Sequence, residues 1–521
     1  MKITKPKSIL FASTVVLIIS GIIGLSGCTE KFADLNTDKT KLAVLSKNEL
    51  PYLFSKAQQE ASYAGGTYQI AQNLFADLYS QYHATTATYF PSDRNVIRFD
   101  WLRGGWTAIY TRSVPQMRSL EEQLADGSSE KAILSIMWVW TFHRLTDYYG
   151  PIPYFDAGKP ASSVKYDAQD KIYADFFTRL DDATKVLASK TSEKPYGNFD
   201  LIYKGDVSKW IKFANTLKLR LALRISKVDP AKAKLMAESA VAGGVMNVTS
   251  DDAMMTKNEP GNDFNGLSRI CIWNEFRMSA AMESVLKGYE DPRIGVFFQP
   301  ATATKTFEGI RNGLNPVDLG GVNDGLSNVG ARWVSGGGAA WTSIGSTSQD
   351  IMHSAESYFL RAEGSLNGWN MGGTAKDLYE KGIAASMNQW GITNTEAIAN
   401  YSASLKTPIA PDDKIKSPAM ANIAVKWGSS EMVQREQIQT QKWLGLYPDG
   451  IEAWSEYRRT GFPKLYPVVN NENSDLKDGE RPKRFPFLTL ERDTNGEAVK
   501  AAESLLGGAD KVSTRLWWDK Q

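Results

Sequence analysis

The chain of 521 residues holds only 2 cysteines and 3 histidines. Two thiols cannot build a disulfide framework or a cysteine-ligated metal site. His83, His143 and His353 stand far apart, and none has a ligand-type companion at helical spacing, so metal chemistry has nothing to start from. An excess of one charge is also missing. Lysine and arginine number 60 against 58 acids, a formal net charge of +2. A nucleic-acid-binding surface calls for a concentrated basic excess, and this balance excludes that class of partner. No glycine run has the strand–turn–helix setting and lysine of a phosphate cradle. Gly320-Gly321 and Gly336-Gly337-Gly338 serve loop bends instead. No acidic loop has EF-hand spacing. Beyond Leu25 no apolar run approaches the ~20 residues of a membrane span. These absences leave no cofactor to expect.

What is present begins at the N-terminus. Lys2, Lys5 and Lys7 precede an apolar run from Ile9 to Ile23, and Leu25-Ser26-Gly27 leads directly into Cys28. Ser13, Thr14, Ser20, Gly21 and Gly24 dilute the run as a membrane span. Small residues before a cut site mark a removable export signal, and this one resembles a bacterial lipoprotein signal with its lipobox. The resemblance implies cleavage after residue 27 and lipidation of Cys28, on the thiol and on the new amine. Two or more acyl chains hold stably to a membrane. A lipidated tether is then expected over residues 28–46, followed by one domain over 47–521. Loss of the leader removes three lysines and no acids, so the remaining chain is near neutral. Cys271, in Arg269-Ile-Cys-Ile-Trp273, reads as a small buried apolar residue.

Apolar residues at three- and four-residue spacing predict helices near 47–63, 67–82, 105–124, 129–148, 168–189, 207–227, 231–243, 277–288, 350–367, 374–390, 431–446 and 449–459. The 207–227 stretch is apolar nearly all round, which predicts a central helix. Gly150-Pro151 stops the fourth helix, and Asp206 reads as a helix cap. In the 350–390 pair, Ala355, Tyr358 and Ala362 face Ala375, Tyr379, Ile383 and Ala384, small beside aromatic, as in a tetratricopeptide unit. The fold class expected is mainly α, with such helical pairs and an irregular loop-rich face. Loops are expected at 83–101 and 291–349.

Those two loops carry the candidate binding residues. Aromatic residues make up 11% of the chain, and flat sugar faces stack on aromatic rings while hydroxyls bond to Asn, Asp and Arg. The first loop offers Tyr89, Arg94 and Trp101; the second offers Arg332, Trp333 and Trp341. A ring packed beneath its own loop would carry the same sequence signal.

The segments Leu145-Thr-Asp-Tyr-Tyr-Gly-Pro-Ile-Pro-Tyr154, Tyr203-Lys-Gly-Asp206, Trp210 to Arg220, Asp291-Pro-Arg293, Ala362-Glu363 with Trp369, Gln441-Lys-Trp443, Glu452-Ala-Trp454, Arg458-Arg-Thr-Gly-Phe-Pro463 and Arg484-Phe-Pro486 occur in order. The ordered set resembles the SusD/RagB family of outer-membrane lipoproteins, in its SusD-like branch. The resemblance implies a protein held in the outer membrane by lipid and facing outward. It implies capture of a nutrient, most often a glycan or oligosaccharide, as the lid of a SusC-like TonB-dependent transporter. It implies no enzyme activity, and the favoured ligand arc comes from an early and a mid-chain loop. Two alternatives stay open: a secreted α-helical glycoside hydrolase, whose chemistry needs two carboxylates across a sugar, and the same fold binding peptides.

Overall fold

The structure, a computed structural model, describes residues 48–334 and 344–520. The leader, Cys28, the tether up to residue 46 and Trp341 lie outside the described residues. The structure contains helices α1 (Leu50–Ala61), α2 (Phe99–Thr107), α3 (Val114–Gln123), α4 (Ser129–Tyr149), α5 (Gln169–Leu187), α6 (Val207–Arg224), α7 (Pro230–Ala242), α8 (Gly266–Cys271), α9 (Ala280–Gly288), α10 (Ser354–Leu366), α11 (Ala375–Gln389), α12 (Glu431–Leu446) and α13 (Gly450–Thr460); α8 and the start of α2 lie where the apolar periodicity predicts no helix. Helix ends follow local chemistry. Ser128, Asp206, Asp229, Thr374, Ser430 and Asp449 each accept a backbone N–H from the first turn of the helix they start. Gly150 at φ +84° closes α4, and Gly461 at φ +79° closes α13.

The described residues from 51 onward, 51–334 and 344–520, form one compact unit. In it α4 pairs with α5, α6 with α7, and α10 with α11, while α5 and α10 pack on α6 and α12 packs on α10, α11 and α13. This is the expected stacking of helical pairs. One ring differs. Tyr358 stands half exposed and donates to the Asn247 carbonyl at 2.9 Å. The buried ring is its neighbour Phe359, seated on Gly382 and Gly445, where an added Cβ would come within 2.6 and 3.0 Å of it.

Among the described residues the named strands form two short ribbons, beside a few isolated bridges. Strand β1 (His83–Thr85) pairs antiparallel with β3 (Phe276–Met278), and β2 (Ala253–Met255) pairs with β4 (Gln349–Met352). The first ribbon interrupts what sequence alone reads as loop (83–101) and helix (277–288). Trp101 likewise sits in the first turn of α2, not in a loop. Helix α2, a π-helical stretch Ala108–Ser113 and α3 follow one another without a break. A second π-helical stretch spans Gln69–Asp77.

The central helix α6 is buried as expected, and its Lys218, Arg220 and Arg224 are buried too. Arg220 forks onto Glu356 (Nε to Oε1 2.7 Å, Nη2 to Oε2 2.6 Å), and Arg224 donates to Glu452. Arg459 forks onto Glu363 at 2.6 Å for both bonds and also meets Glu456, which accepts from Lys442 at 2.8 Å. Removing one partner of such a buried pair leaves an uncompensated charge. Glu356→Ala is expected to cost about 3–5 kcal/mol in urea unfolding. Glu431→Ala, which breaks the exposed Glu431–Arg435 pair, should cost less than about 1 kcal/mol. Equal losses in the two variants would contradict the assignment of α6 as the charged core.

Candidate functional site

The ribbon of β1 and β3 brings two distant stretches together, residues 86–101 and 262–275. Immediately before β3 the Glu275 carbonyl accepts from the N–H groups of Thr86 (2.9 Å) and Ala87 (3.2 Å) and from the Thr85 hydroxyl (3.0 Å). The Glu275 carboxylate accepts from Gln69 Nε2 at 2.6 Å and from the Tyr89 phenol. Tyr89 is 65% exposed, so its ring lies open while its tip is held. The hydrogen bond to Glu275, with partial burial and that negative charge, pushes the phenol up to about 12. Phe90 packs edge-on against Tyr89 (4.7 Å) and against Trp101 (5.5 Å). The half-buried Trp101 carries the Arg98 guanidinium over its ring at 4.8 Å.

On the other side of Glu275, Trp273 is 38% and Ile272 47% exposed, with Phe264 half-buried nearby. Both rings rest on a glycine turn. A Cβ on Gly66 would come within 3.3 Å of Trp273, and one on Gly65, at φ +60°, within 3.5 Å of Phe264. Arg269 lies over both rings at 5.3 and 5.7 Å. The rings form two groups, Tyr89–Phe90–Trp101 with Arg98, and Trp273–Phe264 with Arg269, joined through Asn274 and Glu275; together they make the candidate aromatic surface. Such a surface suits stacking against a flat, hydroxyl-rich ligand.

The mid-chain loop reaches the same place through its asparagines. Asn312 Nδ2 donates to the His83 carbonyl (2.9 Å) and to Asp93 (2.7 Å), and Asn323 Nδ2 donates to the Asn274 carbonyl at 2.9 Å. Burial pushes Asp93 up to about 6, against its bonds from Asn312, Gly313 and Thr85 and the charge of Arg94. Asp93 therefore anchors the early loop from within.

Of the residues marked from sequence, Tyr89 and Trp101 lie on the aromatic surface. Arg94 does not. It is buried, its Nε bonded to Glu472 at 2.6 Å, and it fastens the early loop to the 470–473 segment. Trp333 is fully buried against Trp390 and Tyr447, at 5.7 and 5.8 Å, and offers no face to a ligand from outside. Its ring fills the core because Gly330 lets the preceding turn lie against the Val296–Phe297 backbone, where no Cβ fits. Arg332 is half-buried, paired with Asp350 at 3.0 Å and lying over Trp333 and Trp390. Trp341 lies outside the described residues. Phe264, Ile272 and Trp273 escaped the sequence reading. Their signal was the pair Ile272-Trp273 beside Asn274-Glu275, in a stretch read only for Cys271, which is buried.

Behind Arg332, His353 sits between two acids, Nδ1 to Asp252 at 3.2 Å and Nε2 to Asp350 at 3.1 Å. Burial alone would lower its pKa, but the two carboxylates raise it to about 9. Among the described residues no group of His, Cys, Asp or Glu is placed to hold a metal ion, and no helix is long and apolar enough to cross a membrane.

The family model for SusD and RagB outer-membrane lipoproteins matches residues 30–519. The chain belongs to this SusD-like family. A chitin-binding SusD homologue from Flavobacterium johnsoniae is 34% identical, with a TM-score of 0.83, over 91% of this chain and 99% of that one. A SusD homologue from Bacteroides uniformis is 32% identical, with a TM-score of 0.81, over 90% and 99% of the two chains. Among curated proteins none matches significantly.

The His353 cluster makes a pH prediction. With a folded pKa of about 9 against the ordinary 6.5, its charged form stabilises the fold fully below pH 6.5, by up to about 3 kcal/mol, and this contribution is lost as the pH rises through about 9. The stability gap between the protein and His353→Gln, read by urea unfolding, should therefore shrink between those values. A gap that widens with pH would show that the neutral imidazole is the folded form.

Proposed function

We propose that the protein is a surface-exposed lipoprotein, anchored in the outer membrane through Cys28, that captures a glycan and delivers it to a SusC-like TonB-dependent transporter as its lid. It binds and does not cleave. The observation that carries this reading is the exposed Tyr89 ring, fixed at its tip by Glu275 and packed on Phe90, which in turn meets Trp101, with the exposed Trp273 two residues before Glu275 in the chain. Stacking on these rings supplies affinity, and Arg98, Arg269, Asn274 and Glu275 supply hydrogen bonds to hydroxyls. Arg94 and Arg332 act one layer behind, by holding the early and mid-chain loops. Trp341 is assigned to the mid-chain side of this surface on the sequence reading alone. The carboxylate tied to the rings, Glu275, is already engaged by Tyr89 and Gln69, an arrangement that suits holding a ligand better than transferring protons. Because a relative is described as chitin-binding, chitin oligosaccharides head the ligands to try.

The test is calorimetric titration of the unlipidated chain, from Thr29 onward, with chitin oligosaccharides, other oligosaccharides and peptides, followed by analysis for cleavage. Saturable binding of an intact glycan is expected, with Tyr89→Ala and Trp273→Ala each weakening it about ten-fold. Cleavage products would move the assignment to a glycoside hydrolase, and binding of peptides alone to a peptide carrier. Affinity capture from outer membranes should retain a large β-barrel transporter, and its absence would remove the lid role.

A further inference from the structure

A second site lies among the helical pairs, on elements that contribute nothing to the aromatic surface. A cleft of about 520 Å³ opens where the ends of α6, α10, α12 and α13 meet. That volume lies within the range of small-ligand sites. Its wall includes two half-buried rings, Trp369 and Phe462. The Trp369 ring is backed by Gly364, where an added Cβ would lie 3.2 Å from Cε3, so its orientation is set by the end of α10. The floor is polar and buried: Glu363, Gln439 and Arg459. Glu363 and Arg459 satisfy each other. Gln439 donates through Nε2 to Glu363 at 2.7 Å, while its Oε1 accepts no hydrogen bond among the described residues. A buried amide with one open acceptor is what a ligand hydroxyl would complete.

The charge at the mouth has a sign. Lys227 lines the cleft and is exposed there. It donates to the Lys520 carbonyl at 3.2 Å and pairs with no carboxylate among the described residues. Partial burial and the nearby Arg459 lower its pKa, Asp519 and Glu363 oppose this, and Arg515 adds to the lowering. Arg435, on the opposite helix α12, adds a second cation, held by Glu431 and Asn367. An aromatic platform, an open amide acceptor and an ammonium with no carboxylate partner among the described residues describe, on one cleft, a ring with hydroxyls and a carboxylate. We propose that this cleft is a second saccharide site, selective for an acidic sugar. The ring lies on Trp369, a hydroxyl bonds to Gln439, and the carboxylate pairs with Lys227. It is separate from the Tyr89 surface and does not rest on the reading of that surface.

The test titrates the full unlipidated chain with a β-linked oligoglucuronate and with the neutral β-glucan oligosaccharide of equal length. The acidic ligand is expected to bind saturably, more weakly at high salt. Lys227→Gln should weaken it about ten-fold and Trp369→Ala at least as much, while Tyr89→Ala leaves it unchanged. Lys227 is exposed, so its replacement leaves the fold intact and keeps the proposal testable should Trp369→Ala unfold. Equal binding of the neutral twin, no binding of the oligoglucuronate, or loss on Tyr89→Ala without loss on Lys227→Gln would each overturn the proposal. Failure of the chitin titration would leave these outcomes readable, because they depend on different residues.

Discussion

The structure depends on a set of charges enclosed where four helices cross. Arg220 and Arg224 on α6, Glu356 and Glu363 on α10, Lys442 on α12, and Glu452, Glu456 and Arg459 on α13 form one linked system away from water. Burying ions costs several kcal/mol each unless every one meets an opposite charge in good geometry. Here burial alone would lower Arg220, but Glu356 and Glu452 hold it above the ordinary arginine range. Burial pushes Glu452 up to about 7 against the pull of Arg220 and Arg224. A helix sliding by one turn would part these forks and strand their charges. The network therefore sets the register of α6, α10, α12 and α13 more sharply than apolar contact could, since apolar surfaces tolerate sliding.

That register is what holds the irregular face in place. Asp147 at the end of α4 accepts from Tyr173 and Trp518, and Arg458 lies 3.7 Å over Trp454 while its Nη1 donates to the Asp147 carbonyl at 2.6 Å. Arg293 is clamped on Asp291 and Gln441 in the same manner. Loops between such anchors need no regular structure of their own. They are fastened at single residues, such as Asn312 on Asp93 and Arg94 on Glu472.

The helices were legible because their signals are local. Ser128, Asp206 and Asp449 cap within one turn, and apolar spacing decides each buried face. The choice between Tyr358 and Phe359 was not legible, because adjacent aromatics satisfy the period almost equally and only the distant Gly382 and Gly445 decide. The candidate surface was partly legible. Tyr89 and Trp101 showed as rings in a polar stretch, but Trp333 showed the same pattern and is core. Exposure of a loop ring depends on what the loop meets across space, here Trp390 and Tyr447, and no local spacing encodes that. Trp273 was hidden by the reverse effect: its apolar neighbours Ile270 and Ile272 made it look like core.

The Tyr89–Glu275 bond has a consequence for kinetics as well as geometry. A solvent-facing tyrosine ordinarily samples several rotamers, and a ligand that stacks on it must freeze that motion, at about 0.5–1.5 kcal/mol for each ordered side chain. With its phenol tied down, this ring loses its freedom when the chain folds. If the proposed ligand stacks here, it meets a ring already fixed in place, and encounter leads to stacking without a wait for that side chain to rearrange. A collector of dilute nutrients gains from that, because rapid capture matters to it as much as tenacity.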